Sequence, residues 1–143
     1  MARRKLLVNF LIWLTLTIAS AFFAVKSLDW MDYHYLVKRG VSVEGVVVAK
    51  EPENHRFIRY SYSVGQNTYS GLGSAGHGNP RFEELHVGDK VTVFYDPSNP
   101  DLSFLGNPQN QLNSVTRGVI FLTLIFPLFS IITLHIIRTK LNI

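Results

Sequence analysis

A glycine-rich segment carries the pattern in this chain that most resembles a chemical site. Gly71-Leu72-Gly73-Ser74-Ala75-Gly76 matches the G-x-G-x-x-G spacing with which dinucleotide-binding proteins surround a pyrophosphate. That use needs a helix that begins at the motif, because the phosphate binds at the helix N-terminus. The next residues, His77-Gly78-Asn79-Pro80, break a helix. We therefore predict a flexible loop between strands. Since loops often bind partners, the predicted partner-binding loop comprises Gly71, Gly73, Ser74, Gly76, His77 and Gly78.

Histidines and hydroxyl groups of the same region could support metal binding or hydrolysis. His55, His77 and His86 have spacings that match neither an i, i+4 helical pair nor a zinc motif. Ser70 and Ser74 lie near His77, but no strand-turn-helix nucleophile elbow accompanies them. The chain has no cysteine, which excludes disulfides and thiol catalysis. We expect no catalytic residue, cofactor or metal; a membrane-anchored hydrolase or metal-dependent enzyme is the alternative.

Two uncharged apolar segments occupy the ends of the 143-residue chain, one at residues 6–25 and one at residues 119–137. A helix of about 20 residues is about 30 Å long, which matches the hydrocarbon core of a bilayer. We predict a transmembrane helix in each segment, and the first could continue to residue 38. The alternatives are a buried core helix and, for the first segment, a signal peptide cleaved near Ala19-Ser20-Ala21.

Small residues recur at four-residue intervals in the first segment. Thr15, Ala19, Ser20 and Ala24 form two small-xxx-small pairs, a pattern that lets membrane helices approach closely. We predict that these residues pack against the second span or between copies of the chain.

The distribution of charge predicts the orientation of the spans. Three basic residues precede the first span, and Arg138 and Lys140 follow the second, without any acidic residue in either tail. Nine basic and ten acidic residues lie between the spans, a net charge of −1 within a chain of net charge +4. The positive-inside rule places the tails, residues 1–5 and 138–143, in the cytoplasm of a bacterium, and the middle outside the inner membrane. Nucleic-acid binding is not expected, because the basic residues form no single patch.

The middle of the chain alternates like a small β-domain. Strands are predicted at residues 41–49, 57–64, 68–72 and 91–95, with a short closing strand at 103–105. The second strand places Ile58, Tyr60, Tyr62 and Val64 on one face, and Arg59, Ser61 and Ser63 on the other. Gly65-Gln66-Asn67 predicts a tight turn, and the two prolines within residues 96–100 predict the end of a strand.

The predicted fold class is therefore membrane α+β. Two transmembrane helices flank a small antiparallel β-domain of four or five strands at residues 41–105, and residues 106–118 form a linker. A domain of about 65 residues buries only about 60% of its unfolded surface, so closure into a small barrel would support it.

Three motifs of the β-domain resemble a known family. They are Gly45-Val46-Val47, the run Tyr60-Ser61-Tyr62-Ser63-Val64-Gly65 with Tyr69, and residues 88–100, which end in Tyr95-Asp96-Pro97-Ser98-Asn99-Pro100. The sequence is similar to bacterial membrane proteins that carry the domain of unknown function 3592. The resemblance implies a helix, a small β-domain and a closing helix, and it implies no activity.

We expect a non-enzymatic protein of the bacterial inner membrane whose periplasmic or extracellular β-domain binds other proteins or has a structural role in a membrane complex. Its expected partners are the lipid bilayer and another membrane or periplasmic protein, or a second copy of itself. Neutralisation of a toxin is one concrete form of this hypothesis. A small transporter subunit is a further alternative, against which the scarcity of charges within the spans argues.

Overall fold

The computed structural model describes residues 2–140, so that Met1 and residues 141–143 of the predicted tails lie outside the described part. The elements in chain order are α1 (Ala2–Ser27), α2 (Trp30–Arg39), β1 (Val41–Glu51), β2 (Phe57–Val64), β3 (Asn67–Ser74), β4 (Lys90–Asp96), β5 (Asn99–Leu105) and α3 (Gln109–Lys140). Two long helices thus flank a five-stranded antiparallel sheet, which confirms the predicted fold class. The chain forms two compact units, one of residues up to Met31 and from Asn113 onward, the other of Asp32–Leu112.

Two helical segments, which lie mostly in the first unit, are long and apolar enough to cross a membrane. They are Leu7–Ser27, with a mean hydropathy of 2.0, and Gln109–Thr133, with a mean hydropathy of 2.1. Only 6% and 11% of these segments are buried. Large side chains such as Phe22 and Phe129 are 73% and 70% exposed. These exposed apolar surfaces argue against core helices of a soluble protein and favour membrane anchoring.

The limits of the helices differ from the prediction in two places. Helix α1 ends at Ser27, and α2 begins only at Trp30, because Asp29 adopts a left-handed backbone with φ of 50°. An uninterrupted continuation to residue 38 is therefore wrong. The predicted linker at residues 106–118 is also wrong from Gln109 onward, where α3 begins. The side chain of Asn107 caps this helix by accepting a hydrogen bond of 2.9 Å from the Gln109 N–H.

The second unit is built on a sheet with the strand order β3-β2-β1-β4-β5. The end strands β3 and β5 come together without forming a hydrogen-bonded ladder. A Cβ at Gly73 in β3 would lie 3.3 Å from the Leu105 Cβ in β5. The Tyr60 hydroxyl, which projects from β2, lies 3.1 Å from the Ser103 hydroxyl in β5. The sheet is therefore nearly closed, and side chains hold the gap between its ends.

Apolar side chains fill the inside of this sheet. The buried cluster consists of Val47, Ile58, Tyr60, Tyr62, Leu85, Val91, Val93 and Leu105. The predicted alternation of β2 is confirmed, since Ile58, Tyr60 and Tyr62 are buried, whereas Arg59 and Ser63 are exposed. Burial of these side chains supplies the main stabilisation of the domain.

Strand β4 ends at Asp96, as the prolines predict, but β5 begins at Asn99 and not at the predicted residue 103. Asp96 pairs with Asn99 across a two-residue turn, Pro97-Ser98, and β5 continues through Pro100. The Asp96 Oδ1 stabilises the turn by accepting a hydrogen bond of 2.9 Å from the Ser98 N–H. Proline fits into β5 because this strand has a ladder on one side only.

Candidate interaction surface

The outer face of strands β1, β2 and β3 carries a group of uncharged side chains that surrounds one charged residue, Arg59. We call this group the uncharged face and define it as Val46, Val48, Ser61, Ser63, Thr68, Ser70, Leu72 and Ser74. All of these residues are exposed except Ser61, which is half-buried. The three aliphatic members, Val46, Val48 and Leu72, are 39%, 48% and 40% exposed. Three partly exposed aliphatic side chains thus lie among small hydroxyl groups on this face.

The strand register brings these side chains together across the sheet. Val46 of β1 lies opposite Ser61 of β2, which lies opposite Ser70 of β3. Arg59 lies opposite Leu72 in the neighbouring row. A bulge between Val47 and Ala49 adds Val48 to β1, and its side chain is exposed. The uncharged face is therefore a feature of the folded sheet and not of one sequence segment.

The charged residue within this face, Arg59, forms an ion pair with Glu51. Arg59 donates hydrogen bonds from Nε and Nη2 to the Glu51 Oε1, at 3.0 and 2.6 Å. The other carboxylate oxygen of Glu51 accepts a hydrogen bond of 2.8 Å from Asn54. Hydrogen bonds from Asn54 and from Arg59 lower the pKa of Glu51. The guanidinium of Arg59 is thus directed along the sheet towards Glu51.

The glycine-rich motif contributes to this surface in a different way from the one predicted. Gly71, Gly73 and Ser74 belong to β3, so the predicted flexible loop is wrong for these residues. Gly71 lies opposite Tyr60 of β2, and a Cβ at Gly71 would collide with the Tyr60 ring. The glycines therefore leave room for core side chains inside the sheet, while Ser70, Leu72 and Ser74 point outward.

The residues that follow β3, from Ala75 to Gly78, form a turn that is packed against the end of β5. Gly76 and Gly78 have φ of 90° and 97°, which favour glycine, and His77 lies between them. The His77 ring contacts the Phe104 ring edge-on at a centroid distance of 5.0 Å. Its carbonyl accepts a hydrogen bond of 2.7 Å from the Asn107 N–H. Partner binding by Gly76, His77 and Gly78 stays a prediction.

The small residues of α1 fall into two groups within the first unit. Ala24 is fully buried, whereas Thr15 and Ala19 are exposed and Ser20 is half-buried. The hydroxyl groups of Thr15 and Ser20 donate to carbonyls of α1 itself, at 2.9 and 3.0 Å. Their hydrogen bonds are thus satisfied without a neighbouring helix. Packing between copies through these residues stays a prediction.

No group of three or more His, Cys, Asp or Glu residues that could hold a metal occurs in the described part of the chain, so the structure does not bring His55, His77 and His86 together. A shallow depression of about 310 Å³ on β1 and β4 contains an ion pair of 2.9 Å between Glu44 and Lys90. Its charged groups therefore neutralise each other at the surface.

The tyrosines beneath the uncharged face stabilise the sheet. The Tyr62 ring stacks on the Tyr69 ring at 5.8 Å and lies 6.0 Å from the Tyr95 ring. The Tyr62 hydroxyl donates to the Pro100 carbonyl and so links β2 to β5. Burial raises the pKa of Tyr60 to about 12, and burial also raises the pKa of Tyr62. Both phenols are therefore neutral and part of the core.

Comparisons with known proteins bear on the β-domain. The family model described as "Domain of unknown function (DUF3592)" matches residues 37–110, which is just over half of the chain. Comparisons with curated proteins and with solved structures gave no match.

Proposed function

Since this chain belongs to the DUF3592 family, whose description states no activity, we propose its function from the structure. The protein is a non-enzymatic, two-span membrane protein that presents its β-domain to another protein, and the uncharged face is the binding surface. The observation that carries this proposal is the exposure of Val46, Val48 and Leu72 on a sheet face whose arginine, Arg59, is paired with Glu51.

The chemistry of the surface favours protein over other ligands. Nucleic acids and anionic headgroups are bound through Lys and Arg, and the adjacent guanidinium of Arg59 is paired with Glu51. Sugar rings and bases commonly stack on aromatic side chains, yet Tyr60 and Tyr62 are buried and Tyr69 packs against the core. Aliphatic and hydroxyl groups on a pleated surface fit best against another protein surface.

The interior polar groups support a structural rather than a catalytic role. Asp96 is buried, and its carboxylate binds Arg39 and the Ser98 N–H. The hydroxyls of Tyr60 and Tyr62 bond to Ser103 and to the Pro100 carbonyl. These groups hold elements of the domain together, which is the usual use of buried polar groups.

The anchoring part of the proposal rests on α1 and α3. Their apolar segments expose most of their surface, as a lipid environment requires. With basic residues in both tails, we place the termini in the cytoplasm of a bacterial cell and the β-domain on the outer side of the inner membrane.

Photocrosslinking in membranes tests the binding surface. A photoreactive phenylalanine analogue replaces Ser70, which lies in one row with Ser61 and Val46, or, as the control, the exposed Ser98 in the β4–β5 turn. We expect a discrete adduct from position 70 and several-fold less from position 98. Equal yields at the two positions, or no adduct at position 70, would overturn the proposal.

A further inference from the structure

We infer that α1 and α3 enclose one tightly bound water molecule at Thr123, within the apolar span of α3. The inference concerns the first unit alone and does not depend on the proposed binding surface. It follows from two polar atoms of the same residue, the hydroxyl oxygen and the carbonyl oxygen of Thr123. In a hydrocarbon environment polar groups must be paired within the protein or with ordered water, because an unpaired group is costly there.

The hydroxyl oxygen of Thr123 is the first of these atoms. It is buried and has no hydrogen-bond partner among the residues that the structure describes. Other hydroxyl groups of the spans donate to a carbonyl of their own helix, at 2.8 to 3.0 Å; they belong to Thr15, Thr17, Ser20, Ser130 and Thr133. Thr123 thus departs from the way in which membrane helices satisfy their hydroxyl groups.

The carbonyl oxygen of Thr123 loses its helical partner to a proline. In an α-helix this carbonyl accepts a hydrogen bond from the N–H four residues later. The residue at that place is Pro127, which lies inside α3 and has no N–H. Pro127 is fully buried, so this break in the helical hydrogen bonds lies against protein and not against lipid. Both polar atoms of Thr123 therefore need a partner from outside the helix.

Two contacts show how α1 packs against α3 within the first unit. The indole Nε1 of Trp30 donates a hydrogen bond of 2.9 Å to the Thr116 Oγ1. A Cβ at Gly118 would lie 3.0 Å from the Leu28 side chain. The residue numbers of these pairs run in opposite directions, so the helices are antiparallel. Ala24, one turn before Leu28, is fully buried.

This register gives the water molecule space and a further partner. Followed along both helices, it brings Thr123 to about the depth of Ala24 and Pro127 to about the depth of Ser20. The Ala24 side chain is only a methyl group, which leaves room beside Thr123. The Ser20 hydroxyl donates to the Thr17 carbonyl, and its oxygen can still accept a hydrogen bond. A buried water typically forms about three hydrogen bonds. The hydroxyl and the carbonyl of Thr123 and the Ser20 oxygen would supply them and so link α3 to α1.

Water-edited solid-state NMR of the full-length protein in lipid bilayers tests the inference. It measures how fast magnetisation passes from water protons to a chosen carbon, here the Cβ of Thr123. Thr17 is the matched control, because it is a half-buried threonine of a span whose hydroxyl donates to the Trp13 carbonyl at 2.8 Å. Leu124, which is 52% exposed, controls for depth in the bilayer. We expect transfer to Thr123 to be several-fold faster than transfer to either control.

Three variants identify the atoms that hold the water. Pro127→Ala supplies an N–H to the Thr123 carbonyl, and Thr123→Val removes the hydroxyl, so each should slow the transfer to position 123 several-fold. Thr123→Ser keeps the hydroxyl and should preserve fast transfer. Near-ultraviolet circular dichroism like that of the natural chain shows that each variant is folded. Equal rates at Thr123 and Thr17 in the natural chain, or fast transfer that both Pro127→Ala and Thr123→Val leave unchanged, would overturn the inference.

Discussion

Arg39, the last residue of α2, donates two hydrogen bonds to Oδ2 of Asp96, the last residue of β4, from Nε at 3.0 Å and from Nη2 at 2.6 Å. The Asp96 side chain is 1% exposed, whereas that of Arg39 is 45% exposed. The hydrogen bonds from Arg39, helped by the Ser98 N–H, lower the pKa of Asp96. This pair therefore links the end of α2 to the turn between β4 and β5. The turn lies in the motif that ends in Tyr95-Asp96-Pro97-Ser98-Asn99-Pro100.

The Arg39–Asp96 pair predicts sensitivity to acid. The folded state lowers the pKa of Asp96, so its stabilisation is complete above the unfolded pKa of about 3.9 and is lost as the pH falls through the folded value. We expect the thermal midpoint of the full chain in detergent micelles, followed by tyrosine near-ultraviolet circular dichroism, to fall below about pH 4.

Two variants that replace a carboxylate with an amide show which residue causes the loss of stability in acid. Asp96→Asn should lower the midpoint at neutral pH and flatten the decline in acid, because the carboxylate is then absent. Glu51→Gln is the control, since Glu51 also has a lowered pKa but lies at the sheet surface beside Arg59. If the decline is as steep in Asp96→Asn as in the natural chain, Asp96 is not its source.

The raised pKa of Tyr60 predicts that the domain also loses stability at alkaline pH. Its pKa is about 12 in the folded domain against 10 for a free phenol, because burial disfavours the phenolate. The stabilisation by neutral Tyr60 is thus complete below about pH 10 and is lost as the pH rises towards about 12. Tyr60→Phe should remove much of this alkaline loss and cost about 0.5–1.5 kcal/mol at neutral pH through the lost bond to Ser103. Denaturant unfolding at neutral pH and at about pH 12 measures the two effects on the free energy of unfolding. An unchanged alkaline loss in Tyr60→Phe would refute the prediction.

We expect any side chain at position 71 to clash with the Tyr60 ring inside the sheet. A methyl group at this position meets the Tyr60 ring, so Gly71→Ala should destabilise the domain by about 1–3 kcal/mol. Ser70→Ala, one residue away on the outer face, is the control and should change stability little. The double variant Gly71→Ala/Tyr60→Leu should be less destabilised than the sum of its single variants, because the ring is gone. Additive losses would show that the Tyr60 ring does not set the requirement for glycine.

The orientation of the spans is tested with thiol labelling in spheroplasts of a bacterial host. Ser98→Cys should react with a membrane-impermeant maleimide in intact spheroplasts, since we place the β-domain outside. Ala2→Cys, in the tail that we place in the cytoplasm, should react only after lysis. The reverse pattern would invert the proposed topology.

The sequence predicted the architecture well where one strong local signal decides. The 20-residue uncharged run at residues 6–25 and the alternation of β2 over residues 57–64 each determine an element without help from distant residues. The structure reproduces β2 at the predicted limits, Phe57–Val64.

The errors arose where a distant contact decides the local structure. The predicted third strand stopped at residue 72, and the glycines from Gly71 onward suggested a loop. Both Gly71 and Gly73 face inward in β3, where the Tyr60 ring lies against the space that a side chain would need. Pro97 and Pro100 predicted that no strand passes through residues 97–100, yet β5 begins at Asn99, and the Asp96 side chain stabilises the turn that joins β4 to β5. The uncharged face was missed because it is assembled by the register of β1, β2 and β3, which a single sequence does not specify.

The central claim, that the uncharged face is covered by protein in the membrane, is tested most directly by the reactivity of one thiol. The maleimide labelling rate of Ser70→Cys is measured in native membranes and after dispersal in dilute detergent, with Ser98→Cys as the control. The account predicts that Ser70→Cys reacts several-fold more slowly in membranes than in detergent, while Ser98→Cys reacts at similar rates in both. Equal rates for Ser70→Cys in the two states would contradict it.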